Sequence, residues 1–341
     1  MKTNIGLEMM LWGKLNLTLD YYWERRKDIL IQRSSLPSMA GFDASIYANM
    51  GEMDNKGVDA NLEYQTRIGN KVGLRLFGNL TYSKNKIVFR DEPAMQYAYQ
   101  KSEGTRYGEF YGYIAEGYFQ SEEEIKKSPR QMRELAPGDI KYKDLNDDGV
   151  IDANDQCYLG KSWFPSWSYG MGFNINYHNF DLALFFQGVS DVSIMANGGS
   201  IDTGNGDWGA SGVGIVPFTG MGLNPSNVIT KALDRWTADN PRADSWYPRM
   251  TANATTNDNN YVNSTHWLKD GSYLRLKQAS LGYTLENKKL MDKGIEYLYF
   301  YLSGQNLLTF SKFKLWDPEL GSNGAKYPLS RMVTLGMRVS F

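Results

Sequence analysis

The sequence predicts an all-β chain: an antiparallel transmembrane β-barrel segment of about nine strands from a larger barrel, with short periplasmic turns and long extracellular loops. Three observations predict it. Apolar and polar residues alternate one by one through most regular-looking stretches, connections alternate between very short and very long, and a polar composition carries many aromatic rings. Aromatics make up 14% of 341 residues, with 23 Tyr and 9 Trp, yet the mean hydropathy is negative. Strands with one apolar face reconcile the two.

Taken in order, the alternation begins with Ile5, Leu7, Met9 and Leu11. It continues in Leu15, Leu17, Leu19, Tyr21 and Trp23 against Asn16, Thr18, Asp20 and Tyr22, a strand with one greasy side. Val58, Ala60, Leu62 and Tyr64 repeat it, as do Val72, Leu74, Leu76, Gly78, Leu80 and Tyr82 against Gly73, Arg75, Phe77, Asn79 and Thr81. Met171, Phe173, Ile175 and Tyr177 come next, then Phe180, Leu182, Leu184 and Phe186, and Leu298, Phe300 and Leu302. The last strand sets Val333, Leu335, Met337, Val339 and Phe341 against Thr334, Gly336, Arg338 and Ser340.

Short turns are expected at 12–14, 69–71 and 178–179, with a modest one at 286–294; long polar segments are expected at 28–53, 88–162, 195–268 and 310–328. Sorting of loops by rim belongs to an outer-membrane barrel, and a soluble sandwich has no reason for it. Aromatics near strand ends, including Trp12, the run 21–23, Tyr177, Phe180, Phe310 and Phe341, suit the two membrane interfaces. The odd strand count fits a part of a wall, since single-chain bacterial barrels use even numbers.

Composition excludes several classes. With 37 basic and 38 acidic residues there is no broad field for nucleic acid. Cys157 stands alone, which forbids an internal disulfide, and with only His178 and His266 a zinc cluster has too few ligands. No apolar run is long enough for a transmembrane helix. No Ser/His/Asp or Cys/His grouping stands out, so no catalytic residue is expected; Glu122 to Glu124 read as a short solvent-exposed helix. The Gly-rich run 198–214 lacks the strand and helix a phosphate loop needs.

One stretch has metal-binding spacing. In Asp144 to Asp155, the residues Asp144, Asn146 and Asp148 alternate, Gly149 allows a sharp turn, Val150 can offer a carbonyl, and Asp155 closes the twelve-residue loop. That is a candidate calcium loop, with Asp in place of the closing Glu and extended flanks in place of helices. The same residues also favour turns that need no metal.

Several segments in one order resemble the SusC/RagA-type TonB-dependent transporters: "LNLTLDYYWERRKDILI", "GEMDNKGVDANLEY", "GYIAEGYFQSEEEI", "APGDIKYKDLNDDGVIDANDQCYLG", "SWSYGMGFNINYHNFDLALFFQGV", "LDRWTADNP", "SYLRLKQASLGYTL", "LSGQNLLTF", "WDPEL" and the closing strand. The resemblance implies a barrel of about 22 strands around an N-terminal plug. It also implies energy coupling through TonB, a SusD-like surface lipoprotein partner, glycan or peptide cargo, and an extracellular place for the Asp-rich loop, where calcium would be structural. It further implies that the closing Phe341 serves as an assembly signal. A plug, a TonB-contacting segment and a signal peptide are not found in residues 1–341, so a truncated or split transporter is expected.

For such an importer, aromatic rings on the long loops, Trp163, Trp167, Trp208, Trp246 and Trp316, are candidate ligand contacts, because rings stack on sugar faces or peptide side chains. The competing reading is a soluble, calcium-stabilised, β-rich glycan-binding surface protein using the same loop and the same rings. An exposed greasy sheet face separates the two.

Overall fold

The structure is a computed structural model that describes residues 1–35, 41, 45–69, 71–197, 229–250, 259–292, 294–324 and 326–341. Four strands open the chain: β1 (Lys2–Leu11), β2 (Leu15–Gln32), β3 (Tyr47–Ile68) and β4 (Val72–Phe89). Four short ones follow: β5 (Glu109–Gly112), β6 (Ala115–Tyr118), β7 (Ile140–Tyr142) and β8 (Cys157–Ser162), with helix α1 (Glu122–Lys127) between β6 and β7. Then come β9 (Trp167–Tyr177), β10 (Phe180–Ser190), β11 (Ser193–Met195), β12 (Leu268–Asp270), β13 (Tyr273–Leu285), helix α2 (Lys288–Met291), β14 (Tyr297–Ser311) and β15 (Met332–Ser340).

Nine of these strands form one antiparallel sheet in the order β1-β2-β3-β4-β9-β10-β13-β14-β15. Chain order is preserved, so every neighbour pair is a hairpin or a hairpin with a long insertion. The sheet remains open, with β1 and β15 at its edges. Register decides what each face shows. One row across all nine strands runs Leu11, Leu15, Tyr64, Leu76, Phe173, Leu184, Ala279, Gly304 and Val333. A row on the opposite face runs Glu8, Thr18, Asn61, Asn79, Gly170, Gln187, Arg275 and Thr309.

Among the described residues no second sheet presses on the apolar face. Leu335 is 81% exposed, Val333 68% and Leu302 49%. In water such a face would aggregate, and in hydrocarbon it is the stable surface. On β2 the outward run Leu15 to Trp23 covers nine residues, the length a tilted strand needs to cross a bilayer core. Beyond Trp23 the same face turns ionic, where Arg25 grips Asp54 through two 2.6 Å hydrogen bonds. An aromatic rim marks the change: the Tyr82 and Trp167 rings lie 4.5 Å apart.

The three tight turns are as short as expected, whereas the connection expected at 286–294 runs from 286 to 296 and includes α2. At the β1–β2 hairpin Trp12 and Gly13 both take left-handed backbone, φ 54° and 62°, which matches the twist of the flanking strands. Gly172 is required for another reason: a Cβ there would sit 2.6 Å from the Phe77 ring, which stacks against Phe185 on the inner face.

The long connections depart from expectation. Residues 28–53 are not one loop, because β2 runs on to Gln32 and β3 starts at Tyr47. Asp28 takes left-handed backbone, φ 56°, and the pairing shifts register on either side of Ile29, so the alternation breaks there and these strand extensions looked like loop. The described parts of the segments 88–162, 195–268 and 310–328 contribute to a folded cap built on the pairs β5–β8, β6–β7 and β11–β12. It holds the main buried core of the described chain: Tyr113, Tyr118, Ile140, Tyr142, Ile151, Met195, Ala232, Trp236, Tyr247, Tyr261 and Trp267. Helix α1 is the expected short surface helix, capped by the Ser121 side chain, with acids in its first turn and Lys126 and Lys127 in its last.

Candidate functional site

The inner face is polar and internally paired. Arg75 holds Glu63 in a bidentate pair (2.9 and 3.1 Å) and lies over the Phe77 ring. Thr81 donates to Asp59 at 2.7 Å, Ser83 to Asn55 at 3.0 Å, and Tyr299 to Asp181 at 3.0 Å. This face carries hydrogen-bonding groups in the way the wall of a wet passage must.

Above the wall, buried polar side chains hold the cap together. Gln131 donates to the Ile140 carbonyl at 2.8 Å and accepts from the Tyr142 amide at 2.7 Å. Asn260 accepts from the Ile140 amide and donates to Asp139, while Arg249 pairs with Asp139 at 2.7 Å. The Trp267 indole donates to the Asn260 carbonyl at 2.6 Å. Buried polar groups are stable only when satisfied in this way. The one sequence signal of this network is the run Asn259, Asn260 and Tyr261, polar residues set among aromatics, and it carries no period that would reveal it.

Arg275 fixes the cap to the wall. It is almost fully buried, grips Asp317 through 2.6 and 2.7 Å hydrogen bonds, and lies 3.5 Å from Glu319, which also accepts from Tyr273. Alternation in β13 hid this residue. A bulge at Lys277, opposite Asn306 and Leu307 of β14, shifts the register between Leu276 and Gln278.

The Asp-rich loop folds as a set of local turns. Asp144 accepts from the Gly149 amide at 2.8 Å; Asn146 and Asp148 bond each other, and Asp148 also accepts from the Val150 amide. Asp155 is fully buried and accepts from the Leu145 and Asp152 amides at 2.7 and 2.9 Å, so it clasps the loop shut. Among the described residues no three acid, His or Cys side chains converge to hold a metal. One Asp144 oxygen, Oδ1, is buried without a hydrogen-bond partner among the described residues. Of the residues singled out by the spacing, Asp144 thus keeps one oxygen unbonded, Asn146 and Asp148 would need to leave or share their present bonds to meet a hard cation, and Asp155 is already committed as the clasp.

The five tryptophans separate. Trp167 stands on the outward face of β9 at the aromatic rim, not on a loop. Trp316 packs on Phe313 at 4.8 Å and donates to the Gly321 carbonyl, which holds its own loop. Trp163 lines a recess with Tyr111, Asn197 and Asn263, and Trp246 lines another with Lys231, Lys269 and Phe313. Trp208 lies outside the described residues.

With this geometry in hand, comparison with known proteins identifies the wall. The family described as TonB dependent receptor-like, beta-barrel matches residues 2–307. The chain belongs to this TonB-dependent receptor β-barrel family. Its place is accordingly the outer membrane, where the greasy sheet face meets lipid. It is similar to TonB-dependent receptor P3 of Formosa agariphila, 27% identical over 367 residues that cover 99% of this chain and 34% of the relative. It is also similar to TonB-dependent receptor SusC of Bacteroides thetaiotaomicron, 22% identical over 99% of this chain and 31% of the relative. The RagAB peptide importer in its closed-closed state shares the fold, with a TM-score of 0.73 at 23% identity, over 100% of this chain and 35% of that one. This TonB-dependent receptor segment thus spans about a third of the length of the relatives it matches. The family is one of transporters, not of enzymes.

Proposed function

We propose that this chain forms the C-terminal wall and part of the extracellular cap of a TonB-energised importer of large nutrients, glycans or oligopeptides. One observation carries the reading: a single sheet with a lipid-facing apolar side and a hydrogen-bonding inner side, crowned by a folded cap. Likeness to SusC and to the RagAB peptide importer supports uptake and leaves both cargo classes in play. A SusD-like surface lipoprotein closing over the cap, and TonB acting through a plug, complete the proposal. A soluble glycan-binding module is disfavoured, since it would have to expose the row that ends in Leu335 and Val333 to water.

A hard cation such as calcium, held by Asp144, Asn146, Asp148 and the Val150 carbonyl, would stiffen the loop of the cap. It would do no chemistry on cargo.

The test is uptake by cells of the native host. Deleting the gene should abolish accumulation of a labelled oligosaccharide or oligopeptide too large for porins, and collapsing the proton-motive force should abolish it in the parent. Undiminished accumulation of both cargo classes in the deletion strain would overturn the importer reading.

A further inference from the structure

The cap contains a recess whose charge the importer reading does not use. It lies between residues 229–231, the end of β12, and residues 312–315 beyond β14, with Trp246 on its wall. Four lysines line it: Lys231, Lys269, Lys312 and Lys314. Asp270 is the one carboxylate among the described lining residues, and Asp234 stands beside Lys231 at 2.8 Å. Lys312 is highly exposed and only 3.9 Å from Asp270, so that pair does little to neutralise it. Among the described residues Lys269 and Lys314 have no carboxylate within ion-pair distance.

Lys269 is the central group. Its ammonium donates to the His266 carbonyl at 2.6 Å and sits 5.4 Å from the centre of the Trp246 ring. An ammonium has three N–H donors, and one is used in this way. Holding a half-buried cation against a carbonyl and a ring face is costly unless something of opposite charge arrives. Ile229, Phe313 and Leu315 add apolar lining to the recess, so the visitor should carry an anionic end and a less polar body.

We propose that this recess binds the carboxylate of an acidic cargo fragment, with Lys269 and Lys314 on the anion and Trp246 and Phe313 against the body behind it. The carboxylate can come from a uronate sugar or from a peptide chain end. The proposal deepens the importer reading by assigning it acidic cargo, and rests on that reading only for what the cargo is; the site itself is tested by direct binding.

Burial first, and Lys231 second, push the Lys269 amine down to about 8. A bound carboxylate would restore its charge, so binding should weaken as pH rises above about 8. The other groups facing it are Lys231 and Asp234 from one side, His266 and Asp270 from its own segment, and Lys312 and Lys314 opposite.

The experiment is calorimetric titration of the full chain, purified from outer membranes in detergent, with sodium D-glucuronate, N-acetyl-diglycine and D-glucose. Glucuronate or N-acetyl-diglycine should bind at least tenfold tighter than glucose, and the one that binds identifies the source. Lys269→Gln should weaken the tighter ligand about tenfold, and the exposed Lys314→Gln, which poses no folding risk, about threefold. Carboxylates that bind no better than glucose, or binding unmoved by both substitutions, would overturn the site. Carboxylate binding combined with failure of the uptake test would leave the site standing and remove the importer reading.

Discussion

Two residues show how burial sets the terms for charge. Arg275 is buried with Asp317 and Glu319 as its counter-ions, so removing the guanidinium leaves carboxylates facing a cavity. Arg275→Met should destabilise by about 3–5 kcal/mol, the usual result of breaking a buried pair from one side. Thermal unfolding in detergent checks the magnitude, and protease cutting within 312–324 checks the location. His266 behaves in the opposite way. It packs between the Trp267 and Tyr118 rings and donates to the Trp246 carbonyl, and burial, assisted by Lys269, pushes it down to about 3 from its ordinary 6.5. Above pH 6.5 both folded and unfolded states hold it neutral. Between 6.5 and 3 the unfolded state takes up a proton that the folded state refuses, so cap stability falls as pH falls. Unfolding temperatures of parent and His266→Gln should converge between pH 7 and pH 4; a constant gap would contradict the assignment.

At the scale of elements, alternation was legible because the lipid demands it. Each outward position from Leu15 to Trp23, or from Phe180 to Phe186, must be apolar, and the period of two survives in the order of the residues. What lipid does not constrain was not legible. The extensions of β2 and β3 above the bilayer lose register around Asp28 and Ile29 and so read as loop, and the β13 bulge at Lys277 broke the period where Arg275 turns inward. Leu184→Arg, in the middle of the band, should cost about 2–4 kcal/mol in lipid and little in the unfolded chain. Heat-modified gel migration after reconstitution would show it. The Asp-rich loop makes a separate test: Asp144→Ala with Asp148→Ala should abolish calcium-dependent protection of residues 140–156 from protease, while the Asp155 clasp keeps the metal-free loop folded. Equal protection with calcium and with chelator in the parent would remove the cation from the account.

At the scale of the whole molecule, wall and cap are stabilised by different solvents. The wall gains from lipid on one face, whereas the cap has its own aromatic core gathered from segments more than a hundred residues apart. Tyr113, Tyr142, Tyr247 and Trp267 meet there, and Tyr118 donates to Ser245 across 127 positions. No local pattern encodes such a meeting, which is why the cap read as polar loop and the candidate rings Trp163 and Trp246 had no visible setting. A cap assembled from distant pieces should open as a unit. Trp267 is fully buried at its centre, touching Trp246, Tyr247 and Tyr261. Trp267→Ala should cost the cap about 3–5 kcal/mol. Hydrogen exchange would then speed up together at 111–118, 139–143, 245–247 and 259–268. The amides of β9 and β10, held by lipid and by hydrogen bonds on both sides, should exchange as slowly as before. Acceleration spreading equally into β9 and β10 would mean that cap and wall unfold as one body, and that the separation argued from their two solvents is wrong.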